Sequence, residues 1–472
     1  MDIRETDVIV IVIGAGAVGE NVADRTVQGG LDTVIVESEL VGGECSYWAC
    51  MPSKALLKSG AAVRAAQNLD GAKQAVTGTV DVPGVLRRRD KMTSGWDDAG
   101  QARWLASANI ELVRGHGRIT APQQVTVTAE NGSETVLRAR HAVVISTGSS
   151  AMVPGPLAEV GPWTSREATS ADDVPASLAI VGGGVVGCEI ATAYASFGTK
   201  VTIMSRGPLL AQMEPFAGDL VRDSLEALSV TVKLKADVVS AHRTDKNAVV
   251  ELADGSKVIA EQVLVATGRT PRTEDIGLDR VGLKSSSWME VDDTMQVDGI
   301  DWLYAVGDVN HRALLTHQGK YQARAAGDVI VARAAGQPVD NSRFGTHAAT
   351  ADHDVVPQVT FTDPEVASVG LTEKAALAAG LRVTVLDYNL GSVAGAATVS
   401  DNYQGHARAV VDADREVLVG ATFVGPDVAE LLHSATIAIV GEVPISRLWH
   451  AVPPYPTVSE VWLRWLEQYG RP

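Results

Sequence analysis

Apolar and polar residues fall into the same order of blocks at two places in the chain. Residues 7–13 are almost continuously apolar, residues 14–19 are rich in glycine, and residues 33–37 form a second apolar run that ends in an acid. A short apolar run bounded by a Gly-rich turn is typical of a buried parallel strand, and the interval before the next run has the length of a helix. The same order recurs at residues 178–187 and 200–204. The pattern predicts two strand-turn-helix-strand units and therefore an α/β protein.

The glycines of the first turn have the GxGxxG spacing of a dinucleotide-binding loop. Gly14 permits the tight turn, Gly16 lets a diphosphate approach the backbone at the helix N-terminus, and Gly19 lets the helix pack against the strand. Glu37, at the end of the second strand, stands where a ribose hydroxyl group is bound. The motif alone is weak evidence, but the flanking strands and the acid are all present. We predict a Rossmann-like unit that binds a dinucleotide.

The second turn repeats the motif at Gly182, Gly184 and Gly187, so the chain is predicted to bind two dinucleotides. An acid at the end of the following strand would favour NAD. Ser205 and Arg206 occupy this place instead, and an arginine there can pair with the 2′-phosphate of NADP. The sequence therefore favours NADPH and leaves NADH open. The alternative for Arg206 is a solvated loop residue, since surface arginines are often unpaired.

Two of the three cysteines lie in one Gly-rich segment, residues 42–54, just after the first dinucleotide unit. The spacing of Cys45 and Cys50 corresponds to about 7.5 Å along an ideal helix, beyond the roughly 4.4–6.8 Å between the Cα atoms of a disulfide. A bridge between them therefore requires an unwound first turn. A distorted, accessible bridge is readily reduced, and a helix N-terminus favours the reactive thiolate. We predict a redox-active pair; the alternative is two buried thiols that never pair.

The composition is that of an intracellular, multidomain enzyme. The 472 residues exceed what one core usually spans, and 46% of them are apolar. There is no secretory signal pattern and no apolar run long enough to cross a bilayer, which predicts a cytoplasmic protein without a membrane partner. The net charge of −17 argues against a nucleic-acid partner, and the basic run at residues 87–89 is flanked by acids, as on a solvated helix face. No metal site is predicted.

Beyond these motifs, the chain resembles the pyridine nucleotide-disulfide oxidoreductases, the group of glutathione reductase, lipoamide dehydrogenase and mercuric reductase. Residues 42–54 resemble the family's redox-active segment, and residues 302–308 resemble its second flavin motif. The resemblance also covers two crossovers and the start of an interface domain, at residues 146–149, 266–269 and 357–372. It implies an α/β fold with two Rossmann-like dinucleotide-binding domains, for FAD and NAD(P), and a C-terminal αβ dimerisation domain. The implied segments are residues 1–152 and 271–345 for FAD, 153–270 for NAD(P)H and 346–472 for the interface.

The resemblance also implies roles for individual residues. Cys50, nearer the flavin, would be the charge-transfer thiol, and Cys45 would be the interchange thiol that attacks a disulfide substrate. Lys54 and Glu189 match positions that form an ion pair at the flavin edge in relatives, and a buried ammonium group needs such a partner. Two unrelated surface charges are the alternative. Further cofactor-binding residues implied by the matched motifs are Gly43, Thr147, Gly148, Gly268, Arg269, Gly307, Asp308, Thr316 and His317.

The chain departs from the family pattern where the acid–base histidine is expected. Tyr455 occupies that position, ahead of Glu460. A phenol is a far weaker resting base than an imidazole, although it can still donate a hydrogen bond to Cys45 or to a product. In the homodimer that the resemblance implies, Tyr455 and Glu460 of one subunit would complete the site of the other. His450 is the alternative base, but a histidine beside an apolar tryptophan is more often packed or exposed.

Trp48, between the two cysteines, is the second departure, because relatives usually hold smaller residues there. It can stack on a planar substrate or pack against a neighbouring domain. The predicted activity is reduction of a small or protein-bound disulfide with electrons from NAD(P)H through FAD. One alternative is direct reduction of a quinone or another acceptor by the flavin, which needs neither Tyr455 nor Cys45. The other is a role as the flavoprotein component of a lipoyl multienzyme complex.

Overall fold

The computed structural model describes residues 3–471 as a mixed structure of strands and helices. The strands, β1–β21 in chain order, are Ile3–Ile13, Thr33–Glu37, Glu111–Arg114, His116–Ala121, Gln124–Thr128, Glu134–Ile145, Ser149–Ala151, Ser177–Val181, Lys200–Ser205, Thr231–Leu234, Val238–Arg243, Ala248–Leu252, Lys257–Ala260, Gln262–Val265, Arg269–Pro271, Leu303–Ala305, Gln358–Thr360, Glu365–Gly370, Val383–Asn389, His406–Asp412 and Val417–Gly425. The α-helices, α1–α16, are Gly19–Gln28, Gly43–Tyr47, Cys50–Gln67, Val82–Met92, Ala99–Ser107, Gly155–Ala158, Ser165–Ser170, Val185–Ser196, Pro215–Ala227, Thr316–Ala334, Ala351–Asp354, Glu373–Ala378, Ala396–Val399, Leu432–Val440, Ile445–Leu448 and Val461–Tyr469.

These elements form two compact units, which we describe separately. Unit 1 comprises the described residues of Met1–Pro52 together with Asp90–Met152 and Gly268–His353. Unit 2 comprises Ser53–Arg89, Val153–Thr267 and the described residues of Asp354–Pro472. Each unit is therefore assembled from three separate stretches of the chain. The four domain segments expected from the sequence stay a prediction.

Unit 1 is built around a seven-stranded sheet in the order β3-β2-β1-β6-β5-β4, with β16 also paired to β6. The pairs among β1, β2, β3, β6 and β16 are parallel, whereas β4 and β5 pair antiparallel. Helices α1 and α10 contribute to the same buried cluster as β1. The apolar run at the start of the chain lies in β1, and its residues Val8 and 10–13 are buried, as expected where both faces of a parallel sheet are covered.

β1 lies between β2 and β6 in this sheet, so the chain leaves β1 towards one side and returns on the other. Loops separate at such a switch point and open a crevice at the carboxyl ends of the strands. The first Gly-rich turn follows β1 and therefore lies at this crevice. The predicted second strand is β2, Thr33–Glu37, and Glu37 is its last residue.

Unit 2 contains a second parallel sheet in the order β10-β9-β8-β14, packed against α8 and α9. A three-stranded antiparallel sheet, β11-β12-β13, belongs to the same unit. The C-terminal part forms an antiparallel sheet in the order β17-β18-β21-β20-β19, on which α14 and α16 pack. The second repeat of the sequence pattern thus becomes β8, the turn, α8 and β9, as the sequence predicts.

Among residues 3–471, no helix has the length and apolar character needed to cross a membrane. Over the same residues, no three His, Cys, Asp or Glu side chains are grouped as metal ligands would be.

Candidate active site

The Gly-rich turn after β1 brings α1 very close to the sheet. Gly14 has a φ of +101°, and a Cβ atom there would lie 2.4 Å from the carbonyl oxygen of Ser146. A Cβ atom on Gly19 would lie 1.9 Å from the carbonyl oxygen of Gly14. A Cβ atom on Gly43 would lie 2.8 Å from the Cα atom of Gly16. These glycines are therefore required by close approach of the backbone, and they bring the first turns of α1 and α2 together.

A cavity opens at this point of unit 1, at the carboxyl ends of the parallel strands. Its walls are formed by backbone at the glycines, by polar side chains and by apolar side chains such as Val36, Leu40 and Ile276. The predicted residues that line it are Gly14, Gly16, Glu37, Gly43, Cys45, Thr147, Gly148, Gly307, Asp308 and Thr316. Predicted residues from separate segments of the chain therefore meet at one cavity.

Glu37 holds the Gly-rich turn and faces the cavity. Its carboxylate accepts hydrogen bonds from the backbone N–H of Ala15, at 2.7 Å, and of Glu39, at 2.8 Å. Burial raises the pKa of this carboxyl group, and the backbone hydrogen bonds act against the rise. An acid so fixed at the end of β2 can accept hydroxyl hydrogen bonds from a ribose.

Asp308 belongs to a hydrogen-bond chain across two crossover segments. The Ser149 hydroxyl donates to Asp308 Oδ2 at 2.5 Å, and Arg269 Nε donates to Ser149 Oγ at 2.6 Å. Arg269 Nε lies 3.6 Å from Asp308 Oδ2. Gly268, with a φ of +143°, precedes the arginine. Arg269 and Gly268 therefore support Asp308 through Ser149.

The donor set of this cavity fits FAD. The backbone at Gly14 and Gly16 stands at the N-terminus of α1, where N–H groups and the helix dipole favour a diphosphate. Thr147 Oγ1 lines the cavity, is shielded from solvent and has no hydrogen-bond partner in the protein, so it is a buried polar atom that a ligand can satisfy. Glu37 and Asp308 supply acceptors for hydroxyl groups at separate places on the wall.

The two cysteines lie at a break between helices beside this cavity. Helix α2 ends at Tyr47, Trp48 has the non-helical φ of −134°, and α3 begins at Cys50. The unwinding that the sequence requires for a bridge is therefore present. The Sγ atoms of Cys45 and Cys50 are 2.6 Å apart. The side chain of Trp48 is half-buried, and its ring lies 5.7 Å from that of Tyr47.

The two sulfur atoms have different environments. The Cys45 thiol donates to Cys50 Sγ, and the Thr316 hydroxyl lies 3.3 Å from Cys50 Sγ. The hydrogen bond to Cys50, then burial, raises the pKa of Cys45. Thr316 is the first residue of α10, whose N-terminal dipole stabilises nearby negative charge. The Thr316 hydroxyl and this helix N-terminus therefore lie where they can stabilise negative charge on Cys50. His317, the next residue of α10, has an exposed side chain.

Unit 2 contains the second Gly-rich turn. Gly182 has a φ of +123°, and a Cβ atom there would lie 2.2 Å from the carbonyl oxygen of Ala266. A Cβ atom on Gly187 would lie 2.1 Å from the carbonyl oxygen of Gly182, so this turn repeats the geometry of the first. Gly184 is the N-cap of α8 and has open space around it. Arg206 is exposed directly after β9.

Lys54 and Glu189 form an ion pair in unit 2. Lys54 Nζ lies 2.8 Å from Glu189 Oε2, and Glu189 is 4% exposed. Phe361 holds both partners, since its backbone N–H donates to Glu189 Oε1 at 2.9 Å and its ring lies 4.6 Å from Lys54 Nζ. We did not predict a role for Phe361. From the sequence, the segment that contains Phe361 predicted only the start of the interface domain. Its contact with Glu189 joins residues 172 positions apart, and such a contact leaves no local pattern in the sequence.

Tyr455 and Glu460 have contrasting environments in unit 2. Tyr455 is 76% exposed, and His450 is also exposed. Glu460 is 5% exposed; it accepts a hydrogen bond from the backbone N–H of Ala394 and is paired with Arg464. Tyr455 is therefore accessible to a partner surface, whereas the Glu460 carboxylate is held by groups of its own unit.

An ion pair that we did not predict lies on the cavity wall of unit 1. Arg272 Nη2 is 2.5 Å from Glu44 Oε1, and both residues line the cavity. Glu44 directly precedes Cys45. A carboxylate in this position needs the arginine, because a bare charge would repel a diphosphate.

The fold and these two turns define a class of protein: a reductase with two dinucleotide sites and a cysteine pair beside one of them. Comparison with known families agrees. Residues 8–332 match the family described as pyridine nucleotide-disulphide oxidoreductase, and residues 356–465 match the dimerisation domain of that family. The chain belongs to the pyridine nucleotide-disulphide oxidoreductases.

Individual relatives share nearly the whole chain. Dihydrolipoyl dehydrogenase 2 of Haloarcula marismortui is 32% identical over 462 residues, covering 95% of this chain and 94% of the relative. The dihydrolipoyl dehydrogenase of Chlorobaculum parvum is 31% identical over 459 residues, covering 96% and 94%. Among solved structures, the Cu(II) complex of the HOCl-induced flavoprotein disulfide reductase RclA from Escherichia coli has a TM-score of 0.84 at 21% identity and covers 98% of this chain and 100% of that chain. LpdA from Mycobacterium tuberculosis has a TM-score of 0.83 at 22% identity, with the same coverage.

These matches confirm the predicted family and the α/β fold class. The chain is an NAD(P)H-dependent disulfide oxidoreductase that uses FAD and a pyridine nucleotide. The match to the dimerisation domain supports a homodimer. The roles of the individual site residues stay predictions, as do the identity of the disulfide and the choice of nucleotide.

Proposed function

We propose that the chain reduces a small or protein-bound disulfide with electrons from NADPH, through FAD and the Cys45–Cys50 pair. The observation that carries the proposal is the 2.6 Å separation of the two Sγ atoms at a helix break beside the cavity that fits FAD. When bound, FAD supplies the acceptor for a hydride from the nicotinamide and the electron pair that opens the disulfide. The remaining steps are carried out by side chains of this chain.

Cys45 is assigned the attack on the substrate disulfide. It forms a mixed disulfide with one substrate sulfur and releases the other as a thiolate, which takes a proton. Cys50 then attacks the Cys45 sulfur, which closes the internal disulfide and releases the second substrate thiol. Each cycle thus consumes one electron pair from NADPH and yields two substrate thiols. The thiolate is the nucleophile, so Cys45 must first pass its proton to Cys50, to which it already donates a hydrogen bond.

We assign to Lys54 the role of a fixed positive charge that Glu189 and Phe361 hold in place. Glu189 and the Phe361 ring hold the ammonium group of Lys54 from two sides. A charge held in this way needs little reorganisation when negative charge develops near it, which is the general basis of electrostatic catalysis. We assign Tyr455 to hydrogen-bond donation towards the leaving thiolate, because it is exposed and a phenol donates readily.

Two observations bear on the choice of nucleotide. Arg206 follows β9 where an NAD-selecting acid would stand, which favours NADPH. The relatives named above are dihydrolipoyl dehydrogenases, which favours NADH. We propose NADPH, because Arg206 and Ser205 are features of this chain itself.

Anaerobic titration of the purified yellow protein with NADPH and with NADH tests the proposal. We expect a long-wavelength charge-transfer band after two electrons, with NADPH as the better donor, and loss of this band in Cys50→Ala. Simple bleaching of the flavin without that band and without new thiols would overturn the dithiol proposal. That outcome would point to direct transfer to a quinone-type acceptor.

A second candidate, oxidation of dihydrolipoyl groups, is favoured by the names of the relatives. Such a reaction needs a base to deprotonate the substrate thiol, and Tyr455 is a poor resting base. We therefore expect activity with dihydrolipoamide to be low near neutral pH and to rise steeply in alkaline solution. A flat pH–rate profile with high activity at neutral pH would contradict this expectation and favour the second candidate.

A further inference from the structure

Glu20 is a buried acid that the proposed chemistry does not use. It lies in the first turn of α1, and its Oε1 atom is shielded from solvent without a hydrogen-bond partner. Burial raises the pKa of its carboxyl group to about 7; Lys320 lowers this pKa and Glu37 raises it. A carboxyl group that titrates near neutrality is suited to proton exchange. Its burial disfavours the charged form, so a role in stabilising the helix N-terminus alone does not explain it.

The first turns of α1 and α10 lie against each other. A Cβ atom on Gly319 would lie 2.6 Å from Cγ2 of Val18, which precedes α1. A Cβ atom on Gly19 would lie 1.9 Å from the carbonyl oxygen of Gly14, so α1 already packs as closely as it can against the turn below it. Lys320 follows Gly319, and Glu20 follows Gly19. The ammonium and the carboxyl group therefore belong to helix turns in direct contact.

The same lysine acts on the dithiol. Thr316, one turn earlier on α10, has its hydroxyl 3.3 Å from Cys50 Sγ. The pKa of Cys45 is raised chiefly by its hydrogen bond to Cys50, and the charge of Lys320 lowers it in part. Lys320 thus stands in the electric field of both the dithiol and Glu20.

The charge of Glu20 also acts on Tyr47, within the redox segment. This tyrosine lies between the two cysteines and is 1% exposed. Burial raises the pKa of its hydroxyl group to about 12, and the carboxylates of Asp98, Glu20 and Asp97 add to the rise. Within the Cys45–Cys50 segment, the charge of Lys320 therefore acts on Cys45 and the charge of Glu20 acts on Tyr47.

We propose that Glu20 takes up a proton when the Cys45–Cys50 disulfide is reduced, and that Lys320 couples the two sites. Reduction adds an electron pair and breaks the S–S bond; with one proton it leaves a thiol at Cys45 and a thiolate at Cys50. The new negative charge competes for the field of Lys320, which otherwise stabilises the Glu20 carboxylate. Glu20 then accepts a second proton from solvent, and reoxidation releases it. This inference rests on the proposed function, because it requires a working dithiol.

The consequence is a second proton taken up for each electron pair. In a chain whose expected histidine is replaced by Tyr455, Glu20 gives the dithiol an internal group that compensates its charge. The role of Glu20 is that of a positioning residue that acts through Lys320, since it does not touch the sulfur atoms in the proposed cycle.

The test is the equilibrium of the Cys45–Cys50 pair with dithiothreitol in the FAD-loaded protein, from about pH 6 to about pH 8, on either side of the Glu20 titration. Alkylation and mass spectrometry count the thiols. Uptake of one further proton changes the equilibrium constant for reduction by about a further tenfold per pH unit, which corresponds to about 30 mV for a two-electron couple. We expect Glu20→Gln and Lys320→Met each to lose up to this tenfold dependence. Asp24→Asn, which removes a carboxylate one turn further along α1, is the matched control and keeps the wild-type dependence.

The outcomes separate the two proposals. A pH dependence in Glu20→Gln equal to that of the wild type would overturn the inference and leave the proposed function intact. Absence of any thiol–disulfide interconversion in the wild type would overturn the proposed function and the inference with it. If Glu20→Gln does not fold, redox-induced infrared difference spectra of the wild type decide, because a carboxylate that gains a proton acquires a carbonyl stretching band. No such band on reduction would overturn the inference.

Discussion

At the scale of the residue, several charged side chains of the site pair with residues that are distant in sequence. Glu44 and Arg272 are ordinary charged residues in the sequence, yet they meet at 2.5 Å on the cavity wall. Lys54 and Glu189 meet at 2.8 Å in the same way, with Phe361 holding both. Removal of one partner of such a pair costs more than the pair contributes, because it leaves a buried charge uncompensated.

Arg272→Gln is expected to weaken FAD binding. It leaves the Glu44 carboxylate without its counter-charge in a cavity that must accept a diphosphate. We expect a loss of about 1–3 kcal/mol in FAD binding, measured as the dissociation constant during reconstitution of the apoprotein. Glu44→Gln should retain FAD, and the double variant should recover most of the loss. An unchanged dissociation constant in Arg272→Gln would contradict this account.

Glu20 is expected to make the stability of the folded protein fall with rising pH. Its pKa is about 7 in the folded state against an ordinary value of 4.5, so the folded state binds more protons between these values. The contribution of Glu20 to stability is therefore fully present below its ordinary pKa of 4.5 and is lost as the pH rises through about 7. Glu20→Gln should match the wild type in acid and exceed its stability in mild alkali by about 3 kcal/mol. Thermal unfolding midpoints of both proteins, with Asp24→Asn as control, measure the difference; equal midpoints in alkali would exclude the effect.

At the scale of the element, the first turn of α1 fixes the cavity. The helix reaches the sheet only because Gly19 has no side chain. The break between α2 and α3 has a comparable effect, because it brings together two cysteines that a continuous helix would separate. Both features were accessible from the sequence, the first through glycine spacing and the second through the reach of a disulfide.

Gly19→Ala is expected to disturb α1 and release FAD. Its Cβ atom would lie 1.9 Å from the Gly14 carbonyl oxygen, so the helix must shift. We expect a loss of about 1–3 kcal/mol in stability, as for other overpacked sites, together with weaker FAD binding. Gly100→Ala is the matched control: it also lies in the first turn of a helix of unit 1, but has open space around it, and should be neutral or stabilising. Equal effects of both variants on unfolding midpoint and flavin content would refute the packing argument.

At the scale of the whole molecule, each unit combines three stretches of chain, and the C-terminal stretch carries exposed apolar side chains. Ile437 is 57% exposed on α14, Val452 is 82% exposed and Tyr455 is 76% exposed. All three lie within the match to the dimerisation domain or its motif segment. A concentration of exposed apolar residues in such a domain marks a surface that another chain covers.

Ile437→Asp is expected to dissociate the homodimer. A carboxylate placed in an apolar contact surface loses hydration without gaining a partner. Sedimentation should give twice the 49.5 kDa chain mass for the wild type and a large fraction of single chains for the variant. Ile259→Asp, at 62% exposure on β13 and outside the match to the dimerisation domain, is the matched control and should remain dimeric. A variant Ile437→Asp that stays dimeric would remove α14 from the interface.

The sequence by itself determined the strand-turn-helix-strand order of the two Gly-rich repeats, the family, and ten of the residues that line the cavity of unit 1. It could do so because glycine spacing, short apolar runs and a cysteine pair are local patterns with a direct physical meaning. The nucleotide choice rests on Arg206 alone, because a phosphate contact at an exposed arginine leaves no pattern beyond the residue itself.

Only the tertiary structure decided which charges meet. Glu44 with Arg272, Phe361 with the Lys54–Glu189 pair, and Glu20 beside the turn that carries Lys320 are contacts between distant segments. Their strength depends on burial and on distances of a few ångströms, and neither quantity can be read from residue type or spacing. The residues of the local motifs can therefore be identified from the sequence, whereas the charges that surround the dithiol are brought together by packing.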